Sequence, residues 1–234
     1  GSYGDRTDSG AWRLGLNTTH DGGYKDDSGY DLQKLSYRHD TEWSGVTLQS
    51  LLSLGNLEQE TAGFVIGQDA YEDSGRQREN PNPEAFRDNQ VARWSGRLAF
   101  DAGPGELSVT PFYRYQEMRF LQHFLLGQPL EENGSKSAGW QSEWRVELDD
   151  ALELMTGLDG EWSMSFLQET QRDAVPGNSV LPAGKHYDYE VEGLNGALFA
   201  QLAWTPLAAT RIDAGLRLEH QRYDYDNRMA DGAT

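Results

Sequence analysis

Five histidines come first among residues able to do chemistry: His20, His39, His123, His186 and His220. They are dispersed, and neither His-Glu-x-x-His nor Gly-x-Ser-x-Gly occurs, so hydrolase families marked by those spacings are excluded. The chain has no Cys, which removes thiolate metal sites, disulfides and Cys nucleophiles together. Asp224, Asp226 and Asn227, or Asp26 with Asp27, offer oxygen atoms of the kind calcium takes, yet neither set has the spacing of an EF-hand loop. No catalytic residue, cofactor or resident metal is therefore assigned, and the chain reads as a non-enzyme. What remains is recognition chemistry. Arg119, Phe120, His123 and Phe124 form one group, and His186, Tyr187 and Tyr189 a second. Arg and aromatic side chains hold anions through charge-assisted hydrogen bonds and cations through their ring faces. The same aromatics also suit loop packing or an interfacial aromatic belt.

Composition narrows the scaffold that must position these groups. The formal net charge is -18, with 38 acidic against 20 basic residues. Binding to phosphate backbones rests on Lys and Arg, so nucleic acid is not expected as a partner. Only 37% of residues are hydrophobic and the mean hydropathy is -0.74, while 26 Gly and 11% aromatics suit strands and turns better than helices. Gly1-Ser2-Tyr3-Gly4-Asp5 lacks the basic start and apolar stretch of a signal peptide. The only uncharged run of spanning length, Gly193 to Thr210, contains Gly193, Asn195, Gly196, Gln201 and Pro206 and is rejected as a membrane helix.

The strongest pattern has a period of two. Ala138, Trp140, Trp144, Val146 and Leu148 share one face, against Gln141, Glu143, Arg145 and Glu147. Leu152, Leu154, Leu158, Trp162, Met164 and Phe166 repeat it against Glu153, Asp159, Glu161, Ser163 and Ser165. Ile212, Ala214, Leu216 and Leu218 do so against Arg211, Asp213, Arg217 and Glu219. A soluble β-sandwich alternates too. The polar face here, however, carries both signs of charge at successive positions, and the segments exceed the usual strand of about five or six residues. Strands that tilt across a bilayer need roughly 9–11 residues for its hydrocarbon alone.

Strands are expected near 10–19, 29–38, 45–56, 91–101, 107–117, 137–148, 152–167, 194–204 and 211–223. Their connections alternate in length. Those at Arg38–Ser44, Asp101–Glu106, Asp149–Ala151 and Thr205–Thr210 are short; Thr19 to Ser28 is intermediate; Leu57–Gln90, Met118–Lys136 and Gln168–Gly193 are long. Outer-membrane barrels keep short turns on the periplasmic side and long loops outside. The expected fold is thus all-β, a partial antiparallel transmembrane β-barrel wall of about nine strands from a larger barrel. Two stretches read less cleanly: Leu48, Leu51 and Leu52 also fit helical spacing, and Phe120–Leu126 is an apolar knot inside an expected external loop. Leu57–Gln90, acidic and bearing Asn80-Pro81-Asn82-Pro83, reads as a mobile surface loop of the kind that closes over a ligand.

An odd number of strands cannot close in purely antiparallel fashion, and Ala230–Thr234 reads as loop rather than strand. Residues 1–234 are therefore expected to be one fragment of a single outer-membrane barrel domain.

Gly215-Leu216-Arg217-Leu218-Glu219 followed by Tyr223-Asp224-Tyr225-Asp226-Asn227-Arg228-Met229 resembles a strand rising into a loop in TonB-dependent outer-membrane receptors. The hairpin Trp94–Phe100 to Leu107–Tyr113 and the strand Trp140–Leu148 are similar in style. Members of that family close about 22 strands around a plug and import ferric siderophores, haem or cobalamin with energy from TonB. The resemblance implies a bacterial outer-membrane location, a ferric siderophore or other metal chelate as ligand, outer-membrane lipid as surroundings, and a TonB complex engaged through a region absent here. It also gives Arg119, Phe120, His123, Phe124, His186, Tyr187 and Tyr189 a role in ligand binding from external loops. Neither plug nor TonB box is visible in these residues. A passive porin-type channel and a soluble all-β binding domain are the alternative readings.

Overall fold

Alternating side chains leave a strand with two unlike faces, and hydrogen-bonded neighbours must match face to face. The computed structural model, which describes residues 1–178 and 181–229, meets that demand in one sheet. Its ten strands are β1 (Ser2–Thr7), β2 (Gly10–Asp21), β3 (Tyr30–Trp43), β4 (Val46–Glu60), β5 (Phe86–Ala102), β6 (Gly105–Leu121), β7 (Leu130–Asp149), β8 (Leu152–Gln171), β9 (Gly184–Leu207) and β10 (Thr210–Asn227). Each is antiparallel to the strand before it, in unbroken chain order. The described residues contain no α-helix, only two single 3-10 turns at Ala70–Glu72 and Arg76–Arg78, and no helix long and apolar enough to cross a membrane.

The count is ten rather than the nine expected. The additional strand, β1, runs along β2 from Ser2 opposite Gly15 to Thr7 opposite Gly10. The sheet is open, with β1 and β10 each paired on one side only. The stretch Ala230–Thr234, read above as loop, lies outside the described residues.

Register carries the two faces across every strand. Leu52 opposes Trp94, Trp94 opposes Tyr113, Tyr113 opposes Ala138, Ala138 opposes Trp162 and Trp162 opposes Leu194. One residue away, Asp159 opposes Ala197 and Glu161 opposes Asn195 on the other face. Leu48 and Leu52 fall on the apolar face and Leu51 on the polar one, so their helical spacing is coincidental: β4 is a regular strand.

Among the described residues no second layer covers the apolar face. Trp43, Trp140, Leu158, Leu194, Leu198, Trp204 and Leu216 are all exposed, whereas a soluble sandwich would bury such a row between two sheets. Among the described residues the buried apolar ones are few and small, Ala99, Val146 and Ala203 among them. The polar face instead pairs its charges along the wall. Arg217 Nη1 lies 2.7 Å from Asp159 Oδ2, Arg114 Nη2 lies 2.6 Å from Glu161 Oε1, and Arg145 Nη2 lies 3.0 Å from Glu143 Oε1.

The short–long rhythm holds and is sharper than expected. At one end every connection is a two-residue turn, at residues 8–9, 44–45, 103–104, 150–151 and 208–209. Ser44 and Gly45 both have positive φ, 50° and 79°, the geometry that lets a tight hairpin match the strand twist. At the other end lie residues 22–29, 61–85, 122–129 and 172–183. These loops are shorter than the expected Leu57–Gln90, Met118–Lys136 and Gln168–Gly193 because the strands continue into them. Twenty-residue strands such as β7 and β8 extend roughly 65 Å at about 3.3 Å per residue, well past the 9–11 residues that hydrocarbon requires.

Candidate functional site

The strand extensions decide where the candidate residues stand. Arg119 and Phe120 belong to the end of β6, not to a loop, and His186, Tyr187 and Tyr189 belong to the start of β9. Only His123 and Phe124 sit in a connection. All seven occupy the long-loop end of the sheet.

In the first group, the Phe120 ring lies 5.8 Å from that of Phe124, and His123 meets Phe124 edge-on at 5.7 Å. Phe120 opposes Arg87 in register, and the Arg87 guanidinium sits 5.1 Å above its ring. His123 Nδ1 is 3.4 Å from Thr61 Oγ1, which ties this loop to the long connection after β4. Phe124 is more than half exposed. Arg119 points the other way: its Nε donates to Glu132 Oε1 at 3.0 Å and its guanidinium covers Phe86 at 5.6 Å. Strand alternation puts Arg119 in the row of the apolar face, while Phe120 stands in the polar row with Arg87. Beside Arg119, burial pushes the Asp88 carboxyl above its ordinary range, against the pull of that guanidinium.

The second group is split as well. A register shift in β8–β9 makes His186 the extra residue of a bulge, between Lys185 opposite Thr170 and Tyr187 opposite Glu169; bulges re-aim a side chain in this way. His186 is held with Nε2 2.8 Å from the Pro182 carbonyl and Nδ1 3.2 Å from Glu169 Oε1, so both ring nitrogens face acceptors. Tyr189 packs on Tyr225 of β10 with centroids 5.3 Å apart, and Tyr187 is exposed. None of these contacts joins one group to the other. Among the described residues no cluster of three or more His, Asp or Glu is arranged to hold a metal ion, and Asp224 pairs with Arg222 at 3.0 Å.

The 61–85 connection is laced to the 22–29 loop rather than standing free. Lys25 Nζ donates to the Gly63 carbonyl at 2.6 Å, Tyr24 donates to Gln77 at 2.8 Å, Asn80 donates to the Asp27 carbonyl at 2.8 Å, and Arg78 lies over Tyr24 at 5.7 Å. Further along the rim, the buried Gln171 side chain donates to the carbonyls of Asp173 and Leu181 and abuts Gly127. Gly127 has φ 82°, and a Cβ there would lie 2.5 Å from the Gln171 amide. Gly127→Ala is therefore expected to destabilise the 122–129 and 172–183 loops by about 1–2 kcal/mol. Faster amide exchange confined to these loops is the measurement, and unchanged exchange would count against the tight fit.

Rim residues that sequence reasoning missed include Arg87, Phe86 and Thr61. Each is recruited by pairing across strands, which spacing along the chain does not reveal.

Against solved structures the match covers nearly the whole chain. The unliganded ferric citrate transporter FecA superposes with a TM-score of 0.75 over 97% of this chain at 14% identity. The fold is that of the barrel wall of TonB-dependent outer-membrane receptors. The ferric-catecholate import receptor Fiu of E. coli K12 (TM-score 0.64, 10% identity, 99% of this chain) and BauA, the ferric preacinetobactin receptor of Acinetobacter baumannii (0.66, 8%, 96%), show the same receptor barrel wall. The copper transporter OprC also shares it, with a TM-score of 0.64 at 12% identity over 98% of this chain. All four are described as transporters or receptors. The chain spans 35% of the length of FecA, 41% of Fiu and 39% of BauA. No protein-family model matches the sequence, and no curated protein matches it.

Proposed function

We propose that this chain is part of the wall of a larger outer-membrane receptor that imports a ferric siderophore or similar metal chelate with energy supplied through TonB. The observation that carries this reading is the uncovered apolar face of a single ten-stranded sheet whose connections are all tight at one end and long at the other. Lipid is the cover that such a face fits, and the outer membrane is where strand-built spans reside. The open edges at β1 and β10, and the share of FecA that the chain spans, support its being a portion of one barrel domain. TonB would be engaged by a region outside these residues.

Ligand capture is assigned to the long-loop rim. Phe120, Phe124 and His123, with Arg87 over the Phe120 ring, offer a cationic and aromatic surface suited to an anionic chelate; His186, Tyr187 and Tyr189 offer a second surface, and Arg119 stands on the opposite face against Glu132 and Phe86. Growth and radioiron uptake on a panel of ferric chelates, with and without the gene, test the function. Loss of at least one chelate is expected. Unchanged uptake of all of them would defeat the proposal. For that chelate, Phe120→Ala with Phe124→Ala is expected to weaken binding to cells by roughly tenfold, since the truncation removes two ring contacts.

A further inference from the structure

At the rim, the connection between β8 and β9 returns to the sheet through a short strap, residues 181–183. Two side chains pin that strap. The Gln171 amide donates to the Leu181 carbonyl at 3.2 Å, and His186 Nε2 lies 2.8 Å from the carbonyl of Pro182, the next residue. An amide carries no titratable proton, so the Gln171 bond is the same at any pH. His186 is different. Its Nδ1 lies 3.2 Å from Glu169 Oε1, and each of these two side chains keeps only 14% of its surface exposed.

A neutral imidazole has one N–H and one lone pair. Two acceptors, both at hydrogen-bond distance, exceed what it can satisfy. With the proton on Nε2, the Nδ1 lone pair faces the carboxylate; with it on Nδ1, the Nε2 lone pair faces the Pro182 carbonyl. Only the imidazolium donates to both, and its bond to Glu169 is then charge-assisted. The bulge creates this geometry, because Lys185 and Tyr187 stay in register with Thr170 and Glu169 while the extra residue between them is re-aimed. A second carboxylate adds to the demand for positive charge: Glu131 of β7, which holds the Gln122 and Asn133 amides, directly opposes Glu169. The charged and titratable groups on the neighbouring segments are engaged with other partners. Lys185 of β9 pairs with Asp188, Arg228 after β10 with Glu190, and Arg172 with Asp173 at the start of the connection, while His123 of the 122–129 loop faces Thr61.

We propose that His186 is a proton-operated clasp of the rim: charged, it ties the 181–183 strap to Glu169 of β8, and neutral, it lets the strap go. Imidazole gains and loses its second proton between about pH 5 and 8. The clasp is therefore closed on the acid side of that range and opens as the pH rises through it. Opening leaves the strap to Gln171 and loosens the approach to Tyr187 and Tyr189, the next residues of β9. Their part in ligand capture rests on the function proposed above. The clasp itself is a property of these contacts and is tested without any ligand.

A nitroxide attached at Ala183→Cys in the full-length protein, purified in detergent, reports the strap through its mobility in electron paramagnetic resonance. Between about pH 5.5 and about pH 8, the ratio of mobile to immobile signal is expected to rise at least about tenfold, the effect of losing one charge-assisted hydrogen bond. His186→Gln on this background should remove the pH dependence. Glu169→Gln distinguishes a clasp from a plain structural contact. Its amide N–H can donate to the neutral Nδ1 while Nε2–H stays on Pro182, so the label should remain immobile at both pH values. A label indifferent to pH with His186 and Glu169 intact overturns the clasp, as does a pH response that survives in either variant. No chelate is present in these spectra, so their failure leaves the import reading standing, and unchanged uptake of every chelate leaves the clasp standing.

Discussion

Leu158→Arg in the full-length barrel is expected to cost about 2–4 kcal/mol of folding free energy in bilayers, the depth-dependent penalty for a cation on the lipid face of a barrel. Leu158 lies near the middle of β8, opposite Leu198 of β9. The two are 55% and 50% exposed, and nothing among the described residues covers them. A guanidinium there has no carboxylate in its own row: the neighbours on that face are Thr156, Gly160, Ala200 and Gly196. Gln201→Arg provides the contrast. Its side chain is on the polar face, where Gln201 Nε2 already faces Asp213 Oδ1 at 3.4 Å, and its effect is expected to stay within about 0.5 kcal/mol. Denaturant titration of the vesicle-inserted protein reads both. Equal stability of the two variants would remove the assignment of the apolar row to hydrocarbon.

The second large effect is chemical rather than thermodynamic. With no native Cys, single cysteines report their surroundings without background. Along β9, Gln201→Cys should react with a water-soluble maleimide in the membrane-embedded protein, and Leu202→Cys should react at least about tenfold more slowly. A thiol in apolar surroundings holds its proton, and the thiolate is the nucleophile. Gln201 pairs with Met155 and Gly215, Leu202 with Leu154 and Ala214. Mass spectrometry of the labelled protein gives both rates. Similar rates at the two positions would mean that both faces meet water.

On the membrane reading proposed above, the middle parts of the strands were legible because there the solvent differs on the two sides, which imposes alternation on the residues. Trp140 to Leu148 and Leu152 to Phe166 show it plainly. Beyond the bilayer both faces meet water, alternation has no cause, and the backbone ladder continues unannounced. That is why Leu130–Lys136 and Gly184–Gly193 read as loop although, the bulged His186 aside, they are paired. β1 escaped for a related reason: Ser-Tyr-Gly-Asp-Arg-Thr holds a single large apolar residue, Tyr3, and its strand character comes from pairing with β2. At the rim, residue chemistry pointed to Phe120 and Phe124. The partner of Phe120, Arg87, lies far back in the chain, and only the register of β5 on β6 brings it over the ring.

The backbone of each strand pairs only with its predecessor and successor, and every connection at the tight-turn end is two residues long. A hairpin is consequently a self-contained module. Duplicating or excising one returns the chain to the same side of the bilayer with its facing unchanged, so the girth of such a wall can grow or shrink in steps of two strands. The surviving modules keep their rim loops and their lining, which leaves pore diameter free to vary while recognition chemistry is inherited intact.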